Sequence, residues 1–341
     1  MSRLSIAQLG QKAGETPLPA EIHAHFSSLT EKNTKSGKPY REVTFADATG
    51  AMTLKAWENH RQFSELANLD PGTPLCLSGI FTKNQWGLDG SPWAFESLTE
   101  DEADQLLAGD TETLAKQTAD YREIESCVAN LSDPRLAGLA KLFLKEFGDR
   151  FRRTAAARKN HHARRGGLVE HVAQMMRTAK AISVAYPDLN QDLLITGVLF
   201  HDCGKLWENS YPESGFNQLY NLSGEMMGHI PLGIELVNKL WRELLETPES
   251  TDWKTLTPPS DLVRLHLLHL IASHHGTHEF GSPTLPRTPE AFALHYIDNL
   301  DAKYEMLKDA YANANELAPG ILERQFPLPS NLVSPLPNYQ T

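Results

Sequence analysis

Fourteen histidines are spread along the chain, and the ones that stand beside carboxylates are the groups most able to do chemistry. The most concentrated set is His201-Asp202-Cys203-Gly204-Lys205. It follows residues 192–200, a stretch apolar nearly all round and therefore expected as a buried helix. An imidazole, a carboxylate and an ammonium at the end of a buried helix are costly unless each has a partner. A divalent metal supplies one, with His201 giving a nitrogen and Asp202 a carboxylate able to bridge two ions. His171 lies at the flank of an apolar face made by Leu168, Val172, Met175 and Ala179, and alone it reads as a satisfied core histidine. His229 stands in Gly228-His229-Ile230-Pro231, His274 and His275 end a helix over 261–273, and Asp298 lies in His295-Tyr296-Ile297-Asp298-Asn299-Leu300-Asp301. Each is weak by itself. Together they place His, His-Asp, His, His-His and Asp on separate helices, and ligands converging from several helices are how all-α bundles build imidazole–carboxylate metal sites.

The elements that must position these groups are helical from about Tyr121 onward. One amphipathic helix is expected over 121–131. A second starts at Asp133-Pro134, with Pro in the first turn, and runs to about Phe147. Next comes the most basic window of the chain, Arg150, Arg152, Arg153, Arg158, Lys159, Arg164 and Arg165, opposed locally by Asp149 alone. It leads directly to the metal-ligand candidates, so phosphate contact is the expectation there, against a solvated charged turn.

Ahead of the helices, residues 16–98 alternate apolar and polar in short runs broken by turn signals. Ile22, Ala24 and Phe26 share one face, Thr34-Lys35-Ser36-Gly37-Lys38-Pro39 and Asp47-Ala48-Thr49-Gly50 are turns, and strands are expected over 40–45, 51–57, 75–81 and 92–96. A helix-compatible stretch covers 59–69. Five short strands with one helical insertion after the third is the make-up of an OB-fold barrel, a frequent single-strand nucleic-acid reader, although a generic small barrel has the same spacing. Tyr40, Phe45, Trp57, Trp86 and Trp93 are candidate stacking platforms. Lys32, Lys35, Lys38 and Arg41 around the first turn are candidate phosphate contacts, with a solvated loop as the plain alternative.

The organisation is then a β domain over 1–98, an acidic helical linker over 99–120, an all-α domain over 121–325 and a Pro-rich extended tail over 326–341. With 341 residues, 40% hydrophobic and 22% charged, the chain is neither disordered, collagen-like nor a disulfide miniprotein. It contains no apolar run long enough for a membrane helix and no signal-peptide pattern, so a cytoplasmic protein is expected. A net charge of −11 argues against a coat for nonspecific nucleic-acid binding. Cys76, Cys127 and Cys203 are far apart and odd in number, which argues against a disulfide framework or a cysteine-based zinc site.

The order His171, His201-Asp202, His229, His274-His275, Asp298 resembles the HD superfamily of metal-dependent phosphohydrolases. The surrounding words resemble one branch, the YhaM-type 3′→5′ exoribonucleases: Asn160-His161-His162, Gly166-Gly167-Leu168-Val169-Glu170-His171, Phe200-His201-Asp202-Cys203-Gly204-Lys205, Ser273-His274-His275-Gly276, Phe280-Gly281-Ser282-Pro283 and the run 295–303. Thr34 to Tyr40 and Phe45 to Gly50 match the OB-fold with which that family begins. The similarity spans about residues 16–305.

The resemblance implies metal ligation by His171, His201, Asp202, His229, one or both of His274 and His275, and Asp298. Lys205 would offset phosphate charge, Asp301 would orient a ligand, and His161 and His162 would touch substrate. Lys35, Lys38, Tyr40, Trp57, Arg158, His161, His162 and Arg164 form the expected nucleic-acid contacts. His266, His269 and His295 are expected to be structural, and the connections 207–222 and 246–260 look longer than the family's. The implied activity is a 3′→5′ exonuclease on single-stranded RNA or DNA that releases nucleoside 5′-monophosphates with two divalent ions. Mn²⁺ is favoured, and Fe, Co, Ni or Zn is compatible with the donors. A homo-oligomer is left open. The alternatives are an HD phosphohydrolase of nucleotides or cyclic nucleotides, and a noncatalytic single-strand binder.

Overall fold

The computed structural model describes residues 2–337 apart from 35, 85, 86, 110, 159–161, 214, 217 and 219. The expectations placed on Lys35, Trp86, Lys159, Asn160 and His161 therefore lie outside the described residues. The chain divides into two compact units, Met1–Thr118 with Ser210–Leu219, and Ala119–Asn209 with Tyr220–Thr341.

In the first unit, β1 (Ser2–Arg3), β2 (Leu18–Asn33), β3 (Pro39–Asp47), β4 (Gly50–Trp57), β5 (Pro74–Asn84) and β6 (Gly87–Ser97) form one sheet. Its order is β4-β3-β2-β5-β6, antiparallel throughout, with β1 added parallel to β2. Side-chain alternation explains which face is inside. In β4, Met52, Leu54 and Ala56 are buried while Thr53, Lys55 and Trp57 point outward. β2 serves two partners, pairing β5 over 18–25 and β3 over 25–33, with a register shift after Phe26 where the strand can bend. Trp93 of β6 donates from Nε1 to the Lys55 carbonyl of β4 at 3.1 Å, which brings the two edge strands together. With α2 (Phe63–Leu66) following the third long strand, this is the OB-fold topology. Ile22, Phe26, Val43, Phe45, Leu54, Leu77 and Phe81 fill its interior.

The sequence-based reading differs here at several points, and β2 extends well beyond the expected 21–26. The helical stretch expected over 59–69 contributes only α2. The last strand begins at Gly87, not Pro92, because β6 pairs with β5 back to Asn84. The N-terminal α1 (Ile6–Lys12) was not expected, although Ser5 and Gln8 form a capping box around its first turn and Ile6 and Leu9 are buried. The acidic linker begins with α3 (Glu100–Ala108), capped by Thr99 and Glu102 and part of the first unit.

The second unit consists of α4 (Thr111–Ala129), which crosses the boundary between units, α5 (Pro134–Arg153), α6 (Gly167–Ala185), α7 (Gln191–Phe200), α8 (Lys205–Glu208), α9 (Leu222–Met227), α10 (His229–Leu245), α11 (Ser260–Ser273) and α12 (Pro289–Asn313). Every residue of α7 from Leu193 to Phe200 is buried. The helix packs against α5, α6, α11 and α12, as an element without a polar face must. It is capped at its start by the Asn190 side chain, which accepts from the Leu193 amide at 3.0 Å, and its end delivers His201 into the interior. α5 runs past the expected end at Phe147 to Arg153. It takes Arg150, Arg152 and Arg153 into its last turn, where cations suit the helix dipole. Beyond α12, β7 (Glu316–Ala318), β8 (Ile321–Leu322) and β9 (Leu332–Val333) make a small antiparallel sheet. The Pro-rich tail thus supplies a strand, because Leu328 and Leu332 bury themselves against Ala310 of α12. Among the described residues no helix is long and apolar enough to cross a membrane.

Candidate metal centre

α6, the end of α7, the start of α10, the end of α11 and the middle of α12 bring all seven expected ligands together. His171, His201 and Asp202 present donor atoms within 4.8 Å of one another, and so do His229, His274 and His275. Asp202 joins the two groups. Its Oδ2 lies 3.2 Å from His201 Nε2, and its Oδ1 lies 3.4 Å from His229 Nε2 and 3.7 Å from His274 Nε2. Asp298 Oδ1 stands 3.4 Å from His171 Nε2.

What orients the imidazoles is a consistent use of their second nitrogen. His171 Nδ1 faces Asp301 Oδ2 at 2.7 Å, and His229 Nδ1 faces Glu208 Oε2 at 2.9 Å. His201 Nδ1 faces the Val198 carbonyl and His274 Nδ1 the Ile271 carbonyl, both at 2.8 Å, and His275 Nδ1 faces the Phe280 carbonyl at 2.5 Å. An acceptor at each Nδ1 favours the proton there, so that a ring in its neutral form turns the Nε2 lone pair toward the middle. Three of the central atoms, Asp202 Oδ1, His229 Nε2 and His274 Nε2, are buried without a hydrogen-bond partner among the described residues. Buried polar atoms left in that condition are expensive, and a divalent cation satisfies all three. The donor set, imidazole nitrogen with carboxylate oxygen, fits first-row transition ions.

The electrostatics agree. Burial alone would lower the His171 imidazole, but the Asp298 and Asp301 carboxylates outweigh it and hold that group up at about 9. At neutral pH that ring is protonated on both nitrogens, so an ion must displace a proton to reach His171 Nε2. Burial would raise the Asp202 carboxyl, yet the Lys205 ammonium, 2.6 Å from Oδ2, and the His201 ring hold it well below the usual carboxylate range. His274 is depressed by burial and by His275, so it stays neutral and able to ligate. Burial pushes up the Cys203 thiol, which faces the Gly233 carbonyl at 3.7 Å and packs.

Asp301 has the orienting position that its spacing one helical turn past Asp298 suggests, and His162 Nε2 shares its Oδ2 at 3.1 Å. Glu208 was missed by sequence reasoning. It sits on a one-turn helix inside a long connection, where the only signal is its spacing from Lys205. The Asp301→Asn variant is expected to bind metal about 10- to 100-fold more weakly with the fold retained. Competition against a chromogenic chelator measures this, and an unchanged affinity would remove Asp301 from that role.

Other expected contacts are placed differently. His162 is buried, and Arg164 spends its guanidinium on Glu170, at 2.9 and 2.5 Å, and on Glu305 at 3.4 Å. The Glu170 carboxylate is buried and needs that partner, so these Arg164 donors face inward, where phosphate contact was expected. Arg150 lies over the Trp207 ring and Arg152 over Tyr121. Arg158 donates to the Glu208 carbonyl at 2.8 Å and covers Tyr220. His295 Nδ1 faces the His274 carbonyl and His269 Nε2 accepts from the Arg287 amide, both at 3.0 Å. In the first unit, Tyr40 and Trp57 meet at 5.1 Å between ring centres, with Trp57 half-exposed and Lys38 exposed nearby in sequence. Trp57 also lines a cavity of about 610 Å³ with Lys55, Asn59, His60 and Arg61.

The HD domain family model matches residues 168–303. The chain is 32% identical over 294 residues to the 3′-5′ exoribonuclease YhaM of Geobacillus sp. (strain WCH70), covering 85% of this chain and 84% of that protein. It is 31% identical over 316 residues to the 3′-5′ exoribonuclease YhaM of Oceanobacillus iheyensis, covering 91% and 92%. Among solved structures, the second OB-fold domain of replication protein A from Methanococcus maripaludis aligns with 29% of this chain and 96% of its own, at 19% identity and a TM-score of 0.21.

Proposed function

The chain belongs to the family of the 3′-5′ exoribonuclease YhaM, and from that premise we propose that it trims single-stranded RNA from the 3′ end in a metal-dependent reaction. The observation that carries the reading is the paired ligand set joined through the buried Asp202 carboxylate. His171, His201, Asp202 and Asp298 would hold one ion, and His229, His274, His275 and the far oxygen of Asp202 a second. Mn²⁺ is the first ion to test. Such a pair, when bound, lowers the pKa of a coordinated water and offsets charge on phosphoryl oxygens. Asp301 and Glu208 keep the His171 and His229 rings aimed inward. Lys205, buried with its ammonium on Asp202, contributes positive charge beside the phosphate position. Hydrolysis adds water across the P–O3′ bond. The oxygen leaves on the released nucleoside 5′-monophosphate, and a proton completes the new 3′-hydroxyl.

RNA labelled at its 5′ end, incubated with Mn²⁺, should give a ladder that shortens from the 3′ end and is abolished by chelator. Hydrolysis confined to mononucleotides or cyclic nucleotides, or no cleavage with any divalent ion, would overturn the proposal.

The barrel is proposed to hold the strand, with Tyr40 and Trp57 as stacking rings and Lys38 as a phosphate contact. A stacked base is worth about 1–3 kcal/mol by alanine substitution. Trp57→Ala should therefore raise KM about tenfold while kcat stays near wild type. Steady-state kinetics on a single-stranded oligoribonucleotide read this directly, and an unaltered KM would exclude Trp57 as a platform.

A further inference from the structure

The register between β2 and β5 sets His23 directly opposite Cys76. Side chains two apart on a strand share a face, so Glu21 joins them on the outer side of the sheet, away from the packed Ile22 and Leu77. The donor atoms of Glu21, His23 and Cys76 lie within 4.8 Å of one another. Glu21 Oε1 stands 3.4 Å from His23 Nε2. Two ligands of one tetrahedral zinc ion, each about 2.1 Å from it, stand about 3.4 Å apart.

His23 is only 6% exposed, so its ring is held in place with Nε2 beside the Glu21 carboxylate. The surroundings are anionic as well. Glu96 of β6 is the register partner of Cys76 on its other side, and Glu102 of α3, whose carboxylate also caps Thr99, acts on both His23 and Cys76 together with one opposing cation, Arg3. Glu21 and Cys76 remain partly accessible, so an ion has a way in.

We propose that Glu21, His23 and Cys76 form a second metal site, for Zn²⁺ or Co²⁺, in the β-barrel unit and independent of the histidine–aspartate centre. Imidazole, thiolate and carboxylate suit a borderline-soft ion in tetrahedral coordination, with water in the fourth position. On binding, Cys76 loses its thiol proton to solvent. The bound ion pins β2 to β5 and stabilises the barrel through linkage to folding.

Cobalt separates the two centres spectroscopically, because only a thiolate ligand gives a near-ultraviolet sulfur-to-cobalt charge-transfer band. The metal-free full-length protein is titrated with Co²⁺. At saturation the band should have the intensity of one thiolate-bound Co²⁺ per chain in the wild type, in Cys203→Ser, in Cys127→Ser and in Asp202→Asn. It should vanish in Cys76→Ser and need at least tenfold more Co²⁺ in Glu21→Gln. Circular dichroism melts of Cys76→Ser and His23→Gln check folding, and visible cobalt bands from the histidine–aspartate centre confirm that the other unit still loads. Absence of a charge-transfer band in the loaded wild type, or its survival in Cys76→Ser, would overturn the proposal.

Discussion

Asp202→Asn is expected to lower kcat for RNA hydrolysis by about 10³-fold or more while circular dichroism and the cooperative melt remain those of a folded protein. The substitution keeps the shape of the side chain and removes its charge. That charge is where the two ligand groups meet. One oxygen is shared by His201 and Lys205, and the other faces His229 and His274 without a hydrogen bond of its own. An amide can offer a neutral oxygen to one side only, and its NH₂ group then points at an imidazole lone pair or at the Lys205 ammonium. Elemental analysis should show at least one ion fewer per chain than in the wild type. KM should change far less than kcat, since the barrel contacts proposed to hold the strand are untouched. If Asp202→Asn retains a tenth of wild-type kcat with as many ions bound as the wild type, the bridging role is wrong.

How much of this was legible in the sequence depends on whether a residue's partner is local. The His201-Asp202 pair was readable because it terminates α7, whose uninterrupted apolar run forces burial, and a buried pair of such groups demands a counter-charge. Asp301 was readable once the family resemblance had marked Asp298 as a ligand, because it lies one helical turn further on. The barrel strands were readable from alternation, with β4 as the plainest case. Arg164 was not, because its partners Glu170 and Glu305 come together only when α6 and α12 pack, and Glu305 lies 141 residues away. Nothing local distinguishes an arginine that waits for phosphate from one that neutralises a buried glutamate. Glu208 belongs to the same class, and so does the His23–Cys76 pairing, which exists only through the register of two strands. The long-range ion pairs and register partners are where sequence reading stops.

Gly204→Ala is expected to cost about 3 kcal/mol or more and to abolish metal-dependent hydrolysis in whatever fraction remains folded. Gly204 has ordinary right-handed helical angles, φ −67° and ψ −18°, so alanine is conformationally acceptable there and should even be slightly favoured by propensity. The obstacle is space. A methyl group on Gly204 would overlap the His229 carbonyl oxygen and press within 2.8 Å of the Gly233 amide nitrogen. Both neighbours are backbone atoms of α10, which cannot swing aside as a side chain can. Relief requires α8 to separate from α10, and that separation moves Lys205 and Glu208 away from His229. Glu208 Oε2 then loses its 2.9 Å contact with His229 Nδ1, and the ring loses the acceptor that fixes its direction. Gly10→Ala is the control, since Gly10 lies inside α1 with no atom near the added methyl. Removing a helical glycine in open space should stabilise by about 0.4–1 kcal/mol. Chemical denaturation of the two variants side by side, with RNA hydrolysis and bound metal measured on each, tests the steric account. A Gly204→Ala protein as stable and as active as Gly10→Ala would show that the close approach of α8 and α10 does not build the site.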